Sequence, residues 1–556
     1  MLRTFRKRKI SIMLVLLLPL LGLVLLSFRD NDRYFEISRN LEIFAALYQE
    51  VNTFYVDDTN PNLLMKTGVD AMLGSLDPYT NYIPEDLIED FRTQTTGEYG
   101  GIGALVGYYK GKHIVLMPTE GYSAHEKGIK IGDEIIEIGG TDITKLSHEE
   151  AGKILKGQAD TQVKIKVRRY GQSEPLLFTL ERKNVIVKNV PYYGMVKDDV
   201  GYIKLAEFTT EAGLEVHDAL IELKDKGATK VILDLRGNLG GLLFEAVNTT
   251  NVFIPKGSLV VSTRGKFEEM NNTYRTLNPA VDTEIPVVVL TDNMSASASE
   301  IVAGSLQDYD RAVVVGQKSF GKGLVQATRD IPYNSQLKLT TAKYYTPSGR
   351  CIQALDYSNR RADGSVGKVP DSLKSSFTTM NGRLVYDGGG VDPDVLVEST
   401  VDEPVILALT NQMQIFDYAT RYYYEHDSIS SPRDFQLSAT EYAQFKEWLS
   451  SKGFSYETGV EKRITSLMED AEELEVAHYS KEAVEALKNK LASQKVAELE
   501  RNQSRISHLL EEEIVARYFL EEGQIQAAFT HDPDVLKAIE ILNDKAQYDA
   551  ILKGVE

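Results

Sequence analysis

One cysteine, Cys351, stands among 556 residues, so the chain can close no internal disulfide and build no cysteine-based metal cluster. Prolines number only 17, and 42% hydrophobic with 26% charged residues exclude the disordered, collagen-like and disulfide-scaffold classes. Histidine is scarce, with eight at positions 113, 125, 148, 217, 426, 478, 508 and 531, and no H-x-x-x-H spacing occurs, so neither a metal nor an organic cofactor is implied. Positive charge is short as well. Of 62 Lys and Arg, five lie in the first 28 residues, and the remainder sets 57 basic against 81 acidic groups. A body that acidic is a poor match for a phosphate backbone, and no nucleic-acid partner is expected. Stability must come from burial, and the length suggests two to four domains at roughly 100 to 200 residues each.

What is there begins at the N-terminus. Arg3, Arg6, Lys7, Arg8 and Lys9 precede an uncharged run from Ile10 to Phe28. At about 1.5 Å rise per residue such a run can just cross a hydrocarbon core of about 30 Å. The basic cluster should stay cytoplasmic and send the body across the membrane. Residues 1–30 are therefore read as a membrane anchor or signal segment. No A-x-A-like site follows Leu26, which favours an uncleaved anchor over a cleaved signal peptide.

Beyond it, residues 31–96 show apolar positions at helical spacing (Leu41, Phe44, Leu47, Val51), broken at Asp57, Asn60 and Pro61. Residues 97–184 change to short β-rich runs between glycines, with one helix-like stretch from His148 to Leu155. In residues 185–402, strands such as KVILDLRG, IPVVVLTD and RAVVVGQ alternate with helical patterns, which points to an α/β layer with a mixed, largely parallel sheet. Residues 403–556 are acidic and helical, and read as a packed appendage with solvated faces.

In TGEYGGIGALVG the backbone can turn tightly and present bare N–H groups to a carboxylate. Together with SAHEKGIKIGDEIIEIGGTDITKLSHEEAGKILKG, this region closely resembles a PDZ domain. The resemblance implies that Gly101, Ile102, Gly103 and Ala104 form a loop that captures a peptide's C-terminal carboxylate, the peptide adding as a strand at the sheet edge. The plainer reading is a β-rich spacer without ligand.

The segment TDNMSASASEIVAGSLQDYDRAVVVGQKSFGKGLVQ carries the chemistry. An apolar strand ends at Asp292, and small residues with Ser295, Ser297 and Ser299 open a helix, where a serine lies beside N–H groups able to stabilise an oxyanion. A nucleophile needs a base. No histidine falls inside the α/β core after His217, and His217 itself sits in a charged helical pattern, EVHDALIELKDK, that suits a surface residue. Lysine is the alternative if burial lowers its pKa from about 10.4. Lys322 lies between Gly321 and Gly323, and with period 2 it shares a face with Leu324 and Gln326.

Here the sequence resembles the C-terminal processing (tail-specific) peptidases, serine proteases with a Ser-Lys dyad and an inserted PDZ domain, over roughly residues 35 to 400. The resemblance implies that Ser297 is the nucleophile, Lys322 the base 25 residues on, and Gln326 its support. It implies oxyanion N–H groups from Gly240 or Gly241, in DLRGNLGGLL, and from Ala298. Glu300 and Asp308 fall on motif positions linked to activity, with ordering of the nucleophile's helix as their expected job. Cys351 has no surroundings that suggest a second nucleophile.

The expectation is an α/β protease core with an inserted PDZ domain, an N-terminal helical segment and a C-terminal helical appendage. Its activity would be that of a membrane-anchored, extracytoplasmic (periplasmic) serine endopeptidase acting on proteins or peptides with free C-termini. Homo-oligomerisation stays open. The alternative is a catalytically inactive PDZ adaptor.

Overall fold

The computed structural model describes residues 33–361, 363–398, 403–473 and 481–555. The anchor expected over residues 1–30 lies outside them, and among the described residues no helix is long and apolar enough to cross a membrane. The chain divides into two compact units, Met1–Tyr82 and Ile83–Glu556. In the first, residues 33–54 are helical and a second helix runs Pro61–Gly74. Asn60 caps that helix by accepting from the Leu63 N–H, and Pro61 occupies its first turn, where a missing N–H costs nothing.

The second unit starts its β-rich module with a five-strand antiparallel path in the order Ala104–Tyr109, Lys112–Pro118, Glu134–Ile138, Gln162–Arg168, Leu176–Glu181. Strict alternation explains the pairing: in QVKIKVR, Val163, Ile165 and Val167 are buried and the residues between them point outward. Helix His148–Leu155 begins with a capping box in which Ser147 and Glu150 satisfy each other's N–H groups. Ala104–Tyr109 is the outer strand, so one of its edges has no partner in this sheet.

The six-stranded core sheet runs Tyr192–Lys197, Val200–Lys204, Lys230–Asp234, Val287–Thr291, Ala312–Gly316, Val395–Leu396. Its first pair is antiparallel and the rest are parallel. The runs VVVL and AVVV are apolar on both faces because both faces are covered. On one side pack helices Ala212–Asp225, Leu243–Asn251 and Ala298–Asp308. The other side is closed by the end of the chain: Phe529, Val535, Ala538, Ile541, Leu542 and Tyr548 bury against Ile232, Val288, Leu290, Val313 and Val315.

The helical region past residue 403 therefore has two jobs. Helices Pro404–Asn411, Gln414–Glu425, Ala439–Ser451 and Gln503–Ala528 build a core of their own around Leu409, Tyr418, Phe445 and Leu510. The last two, Pro533–Asn543 and Lys545–Lys553, are a layer of the α/β core. A separate antiparallel sheet, with Leu324–Ile331 against Ser335–Tyr345 and the latter against Leu259–Gly265, carries Gln326 and follows directly on Lys322.

Candidate active site

Strand Val287–Thr291 ends in the middle of the parallel sheet, and the chain turns through Asp292–Ala296 into helix Ala298–Asp308. Ser297 sits at that turn with φ 55° and ψ −110°, outside the wells an L-residue ordinarily occupies. Several contacts hold it there. The Asp292 carboxylate accepts from the N–H groups of Gly237, Met294 and Ser295. The Asn238 carbonyl accepts from the Ala296 N–H at 3.0 Å, and the Tyr344 hydroxyl donates to the Ser297 carbonyl at 3.1 Å.

The three serines separate cleanly. Ser295 is buried and its Oγ donates to the Leu235 carbonyl at 2.9 Å. Ser299 is buried and donates to the Asn238 carbonyl at 2.9 Å. Ser297 is half-buried and lines a cavity of 640 Å³ together with Ala298, Gly240, Gly241, Lys322 and Gln326.

Glu300 connects the two sides of this cavity. It is fully buried, and its two oxygens take four donors. Oε1 accepts from Ser319 Oγ at 2.5 Å and the Gly321 N–H at 2.7 Å, while Oε2 accepts from the N–H groups of Ser297 at 2.8 Å and Lys322 at 2.9 Å. Burial pushes its carboxyl above the usual range, and these hydrogen bonds pull it back. The flanking glycines are required by packing. An added Cβ at Gly321 would lie 2.4 Å from Ala354 Cβ, and one at Gly323 2.8 Å from the Gln353 nitrogen. Gln326 Nε2 donates to Thr340 Oγ1 at 3.2 Å.

Substituting Glu300 tests this bridge. A glutamine supplies one acceptor oxygen and one NH₂, so one pair of the four donors loses its acceptor, at about 1–3 kcal/mol for each unsatisfied group. Glu300→Gln is therefore expected to lose at least about 30-fold in kcat/KM, since about 2 kcal/mol corresponds to that factor. Steady-state peptide hydrolysis by folded protein, confirmed by circular dichroism, measures it.

One expected contributor is corrected. The Gly240 N–H, with its single hydrogen, already donates to Asn238 Oδ1 at 2.9 Å, so it is not open to a substrate oxygen. Gly240 matters instead by shape: at φ 94° an added Cβ would fall 2.8 Å from Ser297 Cβ. The Gly241 and Ala298 N–H groups have no hydrogen-bond partner among the described residues. Asn238, Asp292 and Tyr344 went unread in the sequence, although the G-N-L-G-G context of Asn238 was a usable signal. Lys338 was also missed. It lines the same cavity, 5.8 Å from the Phe91 ring, and burial pushes its ammonium pKa down.

Outside the cavity, His217 is partly exposed on helix Ala212–Asp225 and faces Asp218 at 2.8 Å. Cys351 is half-buried, and burial pushes its thiol up, away from nucleophilic use. Asp308, at the far end of the nucleophile's helix, pairs with buried Arg350 at 2.9 Å. Gly101, Ile102, Gly103 and Ala104 do not line the cavity. Ile102 is buried, Gly103 has φ 73° with Tyr122 pressed against it, and the Ile102 and Gly103 N–H groups have no hydrogen-bond partner among the described residues.

A strained serine at a strand-to-helix turn, on an α/β core with an attached PDZ module, defines a serine-type peptidase. The comparisons agree. Residues 199–357 match the model of peptidase family S41, residues 97–168 that of the PDZ domain, and residues 405–542 that of a probable PDZ-protease C-terminal helical domain. A carboxy-terminal-processing protease of Bartonella bacilliformis is 37% identical over 333 residues, 59% of this chain and 74% of that protein. A probable CtpA-like serine protease of Staphylococcus aureus is 35% identical over 316 residues, 56% of this chain and 62% of that protein. Among solved structures, the photosystem II D1 C-terminal processing protease is 26% identical, covers 64% of this chain and 92% of its own, and has a TM-score of 0.35. A putative S41 protease from Bacteroides fragilis is 18% identical over 67% of this chain and 92% of its own, with a TM-score of 0.38. This chain belongs to the carboxy-terminal-processing protease family.

Proposed function

We propose that the chain is an endopeptidase that reads the free C-terminus of a polypeptide through Gly101–Ala104 and cuts it by Ser-Lys acyl transfer. Ser297 Oγ bonds to the scissile carbonyl carbon while neutral Lys322 takes the hydroxyl proton. The C–N bond then breaks as Lys322 returns that proton to the leaving amine, and water releases the acyl group by the same route. Gln326 positions the lysine without adding a charge. The N–H groups of Gly241 and Ala298 hold the oxyanion.

The observation that carries this reading is the Glu300 carboxylate, one oxygen of which receives both the Ser297 and the Lys322 N–H. It ties the turn of one residue to the loop of the other, and an inactive adaptor would have no use for that link. The basic head and apolar run of residues 3–28 favour a body held at a membrane on its extracytoplasmic side.

Paired peptides with one cleavage site, free acid and C-terminal amide, test the reading. Amidation removes a charge whose hydrogen bonds are worth roughly 1.5–3 kcal/mol, so kcat/KM should fall about 10- to 150-fold. Equal values for the two peptides would remove tail recognition and leave a general protease.

A further inference from the structure

Away from the active site, the helical region gathers a second set of chemically competent side chains. His508 and Glu511, three residues apart on helix Gln503–Ala528, share a face, and His531 reaches them from the turn before helix Pro533–Asn543. Their donor atoms all lie within 4.8 Å of one another. The two imidazole rings are stacked with centroids 3.9 Å apart and planes 15° from parallel. Glu511 is buried and His531 nearly so.

Two of the three side chains have polar atoms already oriented by the protein. His531 Nε2 faces Glu512 Oε1 at 2.8 Å, its Nδ1 lies 3.3 Å from Thr530 Oγ1, a contact that a metal on Nδ1 would replace, and Glu511 Oε1 accepts from the Leu437 N–H at 2.8 Å. The first of these is the carboxylate–histidine contact that outer-shell groups make to fix a ligating imidazole, and the last leaves the other Glu511 oxygen for a ligand. Glu511 and Glu512 bring two negative charges, with Arg505 the cation nearby. The sequence shows no trace of this: 23 residues separate the histidines, and no local metal motif includes either.

We propose that His508, Glu511 and His531 form a binding site for a divalent transition-metal ion of the Zn²⁺ class, which staples helix Gln503–Ala528 to the start of helix Pro533–Asn543. Two imidazoles and one carboxylate suit Zn²⁺ and its neighbours, while an all-oxygen set would be needed for Mg²⁺ or Ca²⁺. Bonds of about 2.0–2.2 Å in a tetrahedron put ligand atoms about 3.4 Å apart, so binding draws the three donors closer and unstacks the rings. The fourth position goes to water. The next residue, Asp532, caps helix Pro533–Asn543 and holds Arg236, at the head of the Gly237–Gly241 loop. The site thus lies one residue from a contact that reaches the oxyanion loop.

The test uses the full chain, stripped with chelator and dialysed against Zn²⁺, with bound metal measured by mass spectrometry. One Zn²⁺ per chain is expected, with affinity at least about 100-fold weaker in His508→Ala and in Glu511→Gln. Zn²⁺ should raise the thermal midpoint of the wild type and leave that of His508→Ala unchanged. His508 is only half-buried, so its variant should match the wild type's midpoint without metal, and Glu511→Gln serves if it does not. Equal affinity in the wild type and both variants, or no Zn²⁺ retained by a cooperatively unfolding wild type, would overturn the site.

Discussion

Replacing Ser297 with alanine is expected to lower kcat by about 10⁴- to 10⁶-fold and leave the fold intact. Ser297 is the only one of the three serines in its motif to line the cavity. Ser295 and Ser299 spend their hydroxyls on the Leu235 and Asn238 carbonyls. Ser295→Ala should therefore cost about 1 kcal/mol of stability and keep most of the activity. Lys322→Ala should match the nucleophile's loss. Lys322→Arg should be equally dead, because a guanidinium stays protonated at any usable pH. A lysine base works only when neutral, so kcat should rise with pH to an alkaline plateau. His217→Ala, remote from the cavity, should stay within about threefold by the usual scale of surface changes. A fluorophosphonate probe followed by peptide mapping reads the nucleophile directly. A label on Ser295, or turnover by Lys322→Arg free of contaminating protease, would sink the assignment.

What the sequence disclosed was local. The runs VVVL and AVVV announce buried parallel strands because every residue in them is apolar, and QVKIKVR announces a half-buried one by alternation. The chemistry alone asked only for a serine at the turn and a lysine as base, and the choice of Ser297 and Lys322, 25 residues apart, came from the family resemblance. The support around them was not, since it depends on contacts between distant positions. Asn238 bonds across 61 residues to Ser299, and Arg236 across 296 residues to Asp532. Nothing in DLRGNLGGLL says that the Asn238 side chain will take the Gly240 hydrogen. The last helices pack as the expected appendage, and pack more widely than their composition suggests. An acidic composition suggested solvated faces, yet Val535, Ala538, Ile539 and Leu542 stand at i, i+3, i+4 and i+7, the stripe of a helix that packs.

That stripe leads to the second large effect. A chain ending at Ala528 should fail to accumulate as soluble, cooperatively folding protein, although the cut removes no residue of the cavity. It strips the cover from Ile232, Val288, Leu290, Val313 and Val315 and removes the Phe529 ring that packs edge-on against Tyr202 at 4.8 Å. It also removes the Tyr548 hydroxyl, which donates to the Val287 carbonyl at 3.2 Å and accepts from its N–H at 3.0 Å. At about 1.5–3 kcal/mol per fully buried large side chain, losing six such residues rivals the whole 5–15 kcal/mol that folds a domain. A gentler variant isolates the electrostatic part. Arg236 binds Asp234 at 2.7 Å, Asp532 at 2.8 Å and Asp534 at 2.9 Å. Burial alone would raise the Asp234 carboxyl, but Arg236 and Lys204 hold it well below the usual range. Its stabilisation is present above the ordinary carboxylate pKa of about 3.9 and is lost as pH falls towards the depressed value. Asp532→Asn with Asp534→Asn keeps the apolar cover and leaves Asp234 to balance Arg236. The double variant should fold with a lowered thermal midpoint, and its kcat should drop more than its KM changes, because Arg236 leads into Gly237–Gly241. A soluble, fully active chain ending at Ala528 would show that these helices are dispensable, and an unchanged kcat in the double variant would confine the Arg236 cluster to stability.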